Sequence, residues 1–340
     1  MMSEGGTALR RRRTDFRLPG PGAAVAAALV SVLLFAGLLS CTPSSGSSST
    51  RTAGPIVIAT GGSRGVYYQY GRALSDRLRA VDPGLVVTVR PTSGSVENLQ
   101  LLDRSEVTCA FVAGDAAAEA VTGRAPFRRS VPIVALARVY DDYLHLVTRR
   151  DGGIRELADL TGRRVSLGPP ASGTRLMVGR LIDLAGVRPA DLDESALGID
   201  ESLAALDAGQ IDAFFWSGGV PTSGVRELGD RVALRLVPVD RYAAALRDRY
   251  DGVYRPATIP VGTYGLADSV GTLAVPNDIV CRSDLDSATV DLLVRTLFAG
   301  REEIGRLVPQ ALALDRRAAI ETDPVPLHPA AADWFRRTKP

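Results

Sequence analysis

The sequence predicts an α/β fold in two lobes, each built on a mostly parallel sheet that is flanked by helices. Short apolar runs alternate with amphipathic helical patterns, which is typical of a parallel sheet covered on both faces. A strand–glycine turn–helix unit at Ile56–Arg79 recurs at Arg163–Gly186, and the unit Leu101–Ala116 recurs at Ala205–Val220. Two lobes of similar build would explain this recurrence, and generic α/β patterning would explain it as well. Two longer strand-like segments further indicate where the chain passes between lobes.

Each element follows from a local pattern. Helical spacing of apolar and small residues predicts two buried helix faces, Tyr67/Gly71/Leu74/Leu78 and Met177/Leu181/Leu184, with Gly186 as a C-terminal cap of the second. Short runs rich in β-branched residues predict strands. These strands are Ile56–Ala59, Val86–Val89, Val107–Val112, Val131–Ala137, Leu144–Thr148, Val165–Leu167 and Ala213–Trp216.

The two crossing segments are Leu136–Arg150 and Gly271–Arg282. Two crossings mean that the first lobe is built from both ends of the chain. The predicted bounds are 54–140 plus 272–340 for lobe one, 146–262 for lobe two, and 141–145 and 263–271 for the hinge regions. A ligand is expected in the cleft outside the carboxyl ends of the strands.

The N-terminus has the pattern of an export signal. Basic residues at Arg10–Arg13 precede an apolar run at Ala23–Leu39, and Ser40-Cys41 and a Ser-rich stretch follow. Residues 1–40 are therefore predicted to be a lipoprotein signal peptide, with Cys41 as the lipidated first residue of the mature chain and 41–53 as a flexible tether. An uncleaved anchor helix is the alternative. Both interpretations place the globular part outside the cytoplasmic membrane.

Composition excludes some classes of function. The full chain of 340 residues has 40 basic and 38 acidic residues. The first 40 residues contain five arginines and two acids, so residues 41–340 hold 35 basic and 36 acidic residues, a formal charge of −1. This balance does not indicate a nucleic-acid partner. Cys109 and Cys281 both lie in apolar strand patterns; a disulfide between them is possible, but two separately buried thiols are favoured. No Cys/His spacing indicates a metal site, and no cofactor is predicted.

Two glycine-rich turns predict a site for a small anion. The segments Thr60–Tyr68 and Ser93–Leu99 each lie between a strand pattern and a helix pattern. Each therefore places free backbone N–H groups and small polar side chains at a helix start, where the helix dipole favours negative charge. The phosphate-loop pattern requires Gly-Lys-Ser/Thr, which is absent here, so a nucleotide loop is not indicated.

An ordered set of segments resembles the TAXI-type solute receptors of TRAP transporters. The resemblance begins at Ile56–Leu99 and ends at Pro326–Pro329. Between them lie the matching segments Glu106–Asp115, Leu167–Arg175 and Phe214–Pro221. The resemblance implies the two-crossing, type II periplasmic-binding-protein architecture and closure by hinge motion. It also implies that TRAP membrane permease subunits are the partner. The lipoprotein pattern at Cys41 predicts, independently, that the protein is anchored to the cell membrane by a lipid.

The candidate ligand-binding residues come from the glycine-rich loops and the ends of the strands. Arg175 could pair with a carboxylate, Asp115 could accept from a ligand amine or cap its own helix, and Trp216 could form an apolar wall. One of Tyr67 and Tyr68 could reach the ligand. The full predicted set is Thr60, Gly61, Gly62, Tyr67, Tyr68, Ser93, Ser95, Asn98, Asp115, Ser172, Gly173, Thr174, Arg175, Trp216 and Gly218.

Nothing in the sequence predicts an enzyme. The two histidines, His145 and His328, are interpreted as structural, and no catalytic triad is arranged around them. The favoured function is an extracytoplasmic receptor that captures a small organic anion, such as an amino acid or a dicarboxylate, for a TRAP-type ion-coupled transporter. A ligand sensor of the same fold for a membrane signalling partner is the first alternative, and a secreted enzyme on the same scaffold is the second.

Overall fold

A computed structural model describes residues 54–338 of the chain. The predicted signal peptide, the lipidation site Cys41 and the Ser-rich tether lie outside the described residues. Within 54–338 no helix has both the length and the apolar character needed to cross a bilayer.

Ten strands form one mixed sheet, and ten α-helices are described around it. The strands are β1 (Ile56–Ala59), β2 (Val87–Arg90), β3 (Cys109–Ala113), β4 (Ile133–Arg149), β5 (Arg164–Ser166), β6 (Asp193–Ser195), β7 (Ala213–Gly218), β8 (Leu234–Leu236), β9 (Arg255–Ile259) and β10 (Val270–Arg282). The helices are α1 (Val66–Val81), α2 (Ser95–Asp103), α3 (Gly114–Thr122), α4 (Gly173–Leu184), α5 (Ile199–Asp207), α6 (Ser223–Gly229), α7 (Ala243–Arg249), α8 (Ser287–Ala299), α9 (Arg301–Leu307) and α10 (Pro329–Arg337).

The sheet contains the same motif twice. Its order is β2-β1-β3-β10-β4-β7-β5-β6, with β8 paired to β4 and β9 paired to β10. Strands β2, β1 and β3 run parallel, as do β6, β5 and β7, whereas β10 and β4 are antiparallel to their neighbours. Each half thus runs through strand–helix–strand–helix–strand–helix in the order that the sequence recurrence predicts. The α/β fold with two lobes is confirmed.

Strands β4 and β10 are the two crossings between the halves. The two apolar runs predicted as separate strands at 131–137 and 144–148 are one continuous strand, β4. Up to Tyr143 its residues pair with β10, and from Tyr143 onward they pair with β7. One long strand is therefore shared by both lobes, because hydrogen bonding passes from one neighbour to the next without a break.

The buried apolar side chains divide at the same place. Residues up to Tyr140 and from Ile279 onward form two clusters, one on each face of the lobe-one sheet. Residues from Leu144 to Val275 form the two clusters of lobe two, one of which also includes Ala113. Each lobe has its own core, as burial of a separate sheet on both faces requires.

Helix α1 illustrates how the sequence fixes the local packing. It begins directly after Gly65, and its buried face includes Gly71, Leu74 and Leu78, as the helical spacing predicts. A Cβ at Gly71 would lie 2.7 Å from Thr60 Cγ2. Glycine therefore lets the helix lie close to the loop that follows β1.

The expectation of two separate thiols at Cys109 and Cys281 is wrong. The two residues face each other in the antiparallel register of β3 and β10, with their Cα atoms 4.0 Å apart, and they form a disulfide. They are 172 residues apart in the sequence, so only the strand pairing reveals that they meet.

Candidate functional site

A cavity lies between the lobes, at the carboxyl ends of the parallel strands. The atom-free space within its lining is about 440 Å³ with open solvent included. Ten of the fifteen predicted ligand-binding residues line it, and they come from both lobes. They are Gly61, Gly62, Tyr67, Ser93, Ser95, Ser172, Gly173, Thr174, Trp216 and Gly218.

Lobe one contributes the N-terminal ends of two helices. The residues that precede α1 and α2 are Gly65 and Gly94, and no side chain caps either helix. Their first N–H groups therefore lack the usual side-chain acceptor, and the positive ends of both dipoles lie at the cavity. Gly94 has φ = +123°, a conformation that glycine adopts without strain.

Lobe two contributes the start of α4. Ser172 is the N-cap residue, and its Oγ accepts a hydrogen bond from Arg175 N at 3.0 Å. The next two residues, Gly173 and Thr174, line the cavity, and Thr174 Oγ1 accepts from Ser217 N at 3.1 Å. This bond fixes the end of β7 against α4, so the lobe-two wall of the cavity is held by the fold itself.

The floor of the cavity is polar and comes from the crossing strands. Tyr140 and Asp142 lie two residues apart on β4, so both side chains point to the same face of the sheet. Both line the cavity. Asn277 of β10 lies opposite Tyr140, and its Oδ1 accepts a hydrogen bond from the Tyr67 hydroxyl.

Asp142 is a buried carboxyl group beside Tyr140 and Asn277, and the residue is 4% exposed. Burial raises the pKa of Asp142 to about 8, because desolvation penalises the carboxylate; hydrogen bonds from the Asn277 and Tyr140 side chains lower it in part. Desolvation, and then the charge of Asp142, also hold the pKa of Tyr67 well above its usual value.

Trp216 forms one wall. Its ring faces Gly65. A Cβ added at Gly65 would lie 3.2 Å from Cη2 of the indole. Its Nε1 donates to Thr222 Oγ1 at 3.1 Å. The indole is therefore fixed in orientation and presents apolar surface to the cavity, which is the geometry the sequence predicts for it.

Two predicted residues support the cavity from behind. Asn98 is fully buried, and its Nδ2 donates to Thr60 O at 2.7 Å and to Phe111 O at 2.8 Å. Thr60 Oγ1 donates to Arg90 O at 2.9 Å. These bonds join the loop after β1 to β2 and β3. Neither residue lines the cavity, and their role toward a ligand stays a prediction.

Three further predicted residues point elsewhere. Tyr68 lies in a separate surface pocket on the other side of α1. Arg175 forms an ion pair with Glu194 at 2.5 Å, so its guanidinium is engaged away from the cavity. Asp115 is buried, and its carboxylate accepts from Ala116 N and from the Tyr254 hydroxyl. Asp115 lies in the first turn of α3, whose N-cap residue is Ala113 and which has no side-chain cap, so capping does not explain its placement. None of the three residues lines the cavity, and their role toward a ligand stays a prediction.

The lobes touch on both sides of the cavity. On one side, Ser63 Oγ and N donate to Asp200 Oδ2, at 2.7 and 3.3 Å, and Arg64 N donates to Oδ1 at 3.2 Å. On the other side, Glu97 N donates to Ala171 O at 2.8 Å. These contacts run from one lobe to the other, so the structure is a closed arrangement.

A second contact between the lobes is ionic and buried. Arg180 of α4 pairs with Glu119 of α3, and Arg180 Nη1 donates a hydrogen bond to the Tyr254 hydroxyl oxygen at 2.9 Å. Arg180 also stacks on Tyr250, with Cζ 4.1 Å from the ring centroid. Arg124 also pairs with Glu119, and Arg180 Nη1 lies 4.0 Å from Asp115 Oδ2, so this network of charges ties α3 to α4.

Both histidines have structural partners. His145 is buried, and its ring nitrogens lie 2.8 Å from Tyr143 O and 3.1 Å from the Tyr264 hydroxyl. His328 accepts from Ala330 N at 3.0 Å and so caps α10. Across residues 54–338 no group of three or more His, Cys, Asp or Glu side chains is placed to hold a metal ion.

Tyr140, Asp142 and Asn277 are absent from the sequence-based set. A signal for Asp142 was available in the crossing strand, which carries Asp141 and Asp142 next to each other. Adjacent residues of a strand point to opposite faces, so only one of the two can face the cleft. Register decides which one, and Asp142 is the residue that shares a face with Tyr140.

Comparison with known proteins agrees with this architecture. The model of the NMT1-like family matches residues 58–337, and the chain belongs to that family. A binding protein component of an ABC phosphonate transporter from Pseudomonas aeruginosa is similar in fold (TM-score 0.50, 14% identity, 75% of this chain and 78% of that one). A Bordetella bronchiseptica protein (TM-score 0.49, 19% identity, 81% and 83% covered) also matches. So does the periplasmic aliphatic sulphonate binding protein SsuA from Escherichia coli (TM-score 0.43, 13% identity, 84% and 90% covered).

Proposed function

We propose that this member of the NMT1-like family is an extracytoplasmic solute receptor that closes its two lobes over a small organic acid. The observation that carries the proposal is the convergence of helix N-termini from both lobes on one cavity. Helices α1 and α2 arrive from lobe one and α4 arrives from lobe two. Backbone N–H groups at helix starts bind carboxylates and similar anions, and here they would do so only when the lobes are together.

The site supports binding rather than turnover. The two described histidines are held in structural contacts away from the cavity. The polar and aromatic lining groups are small hydroxyl side chains, two tyrosines, an indole and one carboxyl group, and glycines, Val66 and Ala113 complete the lining. This set can orient a solute through hydrogen bonds, and nothing in it forms the nucleophile–base pair that acyl transfer requires. A receptor needs only a difference in affinity between its open and closed states.

We propose that the hinge lies in the crossing strands, near the predicted 141–145 on β4 but later than the predicted 263–271 on β10, since Leu273 and Val275 belong to the lobe-two core. The apolar clusters change from one lobe to the other between Tyr140 and Leu144 on β4 and between Val275 and Ile279 on β10. Few buried side chains bridge those short spans, so a change in backbone dihedrals there would move one core against the other without unpacking either.

The proposal also names the membrane partner that would receive the solute from the receptor. The ordered segments that resemble TAXI-type receptors favour the membrane subunits of a TRAP transporter, and the export pattern with Cys41 favours a lipid-anchored receptor. Delivery is tested in proteoliposomes that contain the permease subunits encoded beside this chain. Solute uptake that requires both the receptor and an ion gradient supports a TRAP system. Uptake that requires ATP, or a neighbouring sensor kinase without a permease, contradicts it.

Receptor function is tested by thermal unfolding of the full-length chain in detergent against a panel of amino acids, dicarboxylates and 2-oxo acids. A true ligand at about 100 times its Kd should stabilise the folded protein by about 2.7 kcal/mol. Small-angle scattering with and without that ligand should show closure. A panel in which no compound shifts unfolding would count against a receptor for small organic acids.

A further inference from the structure

We infer that the two lobes open asymmetrically: one contact between them persists as a pivot, and the contact on the opposite side separates. The inference rests on the proposed receptor function and adds the direction of its motion. The pivot, which we call the ionic seam, joins α3 to α4 and consists of Asp115, Glu119, Arg180 and Tyr254. The contact that separates, which we call the exposed seam, consists of Ser63, Arg64, Asp200 and Glu227.

The two seams differ in their exposure to water. In the ionic seam, the side chains of Asp115, Glu119 and Arg180 are 0%, 8% and 10% exposed. In the exposed seam, the side chains of Arg64 and Glu227 are 49% and 54% exposed, and their charged atoms are 3.9 Å apart. Exposed pairs contribute little to stability, because water replaces the lost partner. Partial separation of the ionic seam would instead leave charges unpaired while they are still buried.

Apolar packing surrounds the ionic seam. Ala113, at the end of β3 in lobe one, belongs to an apolar cluster of lobe two. A Cβ at Gly114 would lie 3.0 Å from Pro276 Cγ and 3.6 Å from Val253 Cγ2. Tyr254 is fully buried, and its hydroxyl donates to the lobe-one carboxylate Asp115 at 2.7 Å. Separation here would expose part of the lobe-two core to water, which the hydrophobic effect opposes.

The ionic seam also lies beside the proposed hinge in β10, which spans residues 275–279. Ala113 of lobe one pairs with Asn277 inside that span. On the lobe-two side, Arg255 directly follows the seam tyrosine and pairs with Ala274. Both sides of the seam are therefore joined to β10 within a few residues of the hinge. Atoms close to the axis of a rotation move least, so this contact can persist while the lobes rotate.

The exposed seam lies farther from that axis. Ser63 follows β1, and β3 separates β1 from β10. Since neighbouring strands are about 4.8 Å apart, β1 lies about 10 Å from β10. Asp200 belongs to α5, which leads into β7, and β4 separates β7 from β10. The contact between Glu97 N and Ala171 O is also remote, because α2 follows the edge strand β2, and we expect it to separate with the exposed seam.

This motion gives Arg180 a positioning role. Arg180 lies on α4, and the first residues of that helix, Gly173 and Thr174, line the cavity. While the ionic seam holds, the start of α4 turns about Arg180 instead of moving away from lobe one as a whole. The solute would then enter between the glycine-rich loop after β1 and α5, where the exposed seam closes behind it.

The experiment measures distances across both seams by pulsed electron paramagnetic resonance in the full-length Cys41→Ser chain, which retains only the disulfide cysteines. Spin labels on Thr122→Cys and Asp248→Cys report on the ionic seam, and labels on Arg72→Cys and Arg226→Cys report on the exposed seam. All four positions are exposed on helices. No ligand has to be known, because a variant opens the chain.

Asp200→Arg is the opening variant, since it removes the acceptor for Ser63 and places a cation beside Arg64. We expect the distance across the exposed seam to lengthen by more than about 2 Å, and the distance across the ionic seam to change by less than about 1 Å. Asp207→Arg is the control: Asp207 lies on the same helix and pairs with Arg231 inside lobe two, so neither distance should change.

Arg180→Gln tests the pivot itself. Combined with Asp200→Arg, it should lengthen the distance across the ionic seam by more than about 2 Å as well, because the seam no longer holds. Arg188→Gln, which removes an exposed ion pair with Asp191 in lobe two, should not have this effect. If Arg180→Gln does not fold, the distances in chains that keep Arg180 still decide.

The outcomes keep the two proposals apart. Equal lengthening across both seams, or greater lengthening across the ionic seam, overturns the pivot. A chain in which Asp200→Arg changes neither distance overturns it too, because the exposed seam is then not the mobile one. The receptor for small organic acids fails on a different measurement, the absence of any compound that protects the chain from unfolding.

Discussion

Ser63, in the loop after β1, donates its hydroxyl hydrogen to Asp200 Oδ2 at 2.7 Å, although the two residues belong to opposite lobes. Asp200 lies in the first turn of α5, and its other oxygen accepts from Arg64 N at 3.2 Å. One carboxylate of lobe two thus holds the glycine-rich loop that forms part of the cavity in lobe one. Because the contact exists only when the lobes are closed, it couples closure to the shape of the binding loop.

Asp200→Ala should therefore weaken ligand binding without unfolding the protein. The contact is solvent-accessible, so its loss should cost about 1 kcal/mol of closed-state stability, or roughly 5-fold in affinity. Titration calorimetry with the best ligand measures the effect. Asp207→Ala is the control, because Asp207 on the same helix pairs with Arg231 inside lobe two. Equal losses from both variants would show that the contact does not matter for closure.

Gly173→Ala should hold the lobes apart. A Cβ at Gly173 would lie 2.8 Å from Ser95 Oγ of lobe one, which is closer than atoms can pack. Since the clash arises only on closure, we expect affinity to fall by about 10-fold or more while the unfolding temperature stays near that of the native chain. Scattering in the presence of ligand should report a more open molecule.

Gly179→Ala tests whether this effect is specific. Gly179 lies on the same helix, is exposed, and has nothing within 4 Å of the added Cβ. Alanine there should stabilise the helix by about 1 kcal/mol and leave binding intact. If both alanine variants bind like the native chain, close approach at Gly173 is not required for binding.

The Cys109–Cys281 disulfide should stabilise the folded chain substantially. It closes a loop of 172 residues, for which chain entropy in the unfolded state gives a contribution of about 5 kcal/mol at most. Denaturant titration of the Cys109→Ser/Cys281→Ser double variant should show a loss of about 2–5 kcal/mol. Reductant should destabilise the native chain and leave the double variant unchanged. A native chain that does not respond to reductant under denaturing conditions would contradict the pairing.

Asp278 predicts a pH dependence of stability. Burial raises its folded pKa to about 8, whereas an unfolded aspartate has a pKa near 3.9. The folded state therefore binds more protons between these values, so the stability that Asp278 contributes is present below about pH 4 and is lost as pH rises toward 8. Asp278→Asn removes this loss. It should be more stable than the native chain at pH 8, with a smaller difference at pH 5, as measured by urea unfolding; the opposite trend would refute the assignment.

Much of the fold was predictable because its signals are local. The strand at Ile56–Ala59, the apolar face of α1 and the recurrence of strand–turn–helix units all depend on periodicity within a few residues. The glycine loops were predictable for the same reason, since glycine and small polar residues before an amphipathic run indicate a helix start. Ten predicted residues consequently line one cavity.

The remainder depended on pairing between distant segments. Asp142 and Asp141 are indistinguishable in the sequence, and only the register of β4 places Asp142 at the cavity. Arg175 has the right position for an anion clamp, but β6 brings Glu194 beside it. Cys109 and Cys281 are buried strand residues, as predicted, but they form a disulfide, which was not favoured. The sequence could not show that β3 and β10 place them opposite each other.

The return of the chain into lobe one has a consequence for biogenesis. Lobe two is continuous, and its core residues between Leu144 and Val275 can assemble as soon as that stretch is available. Lobe one has to wait for β10 and for the helices after it, since α8 and α10 supply part of its core. Folding is then expected to proceed from the middle of the chain outward, with the N-terminal part of lobe one kept incomplete until the last residues are available.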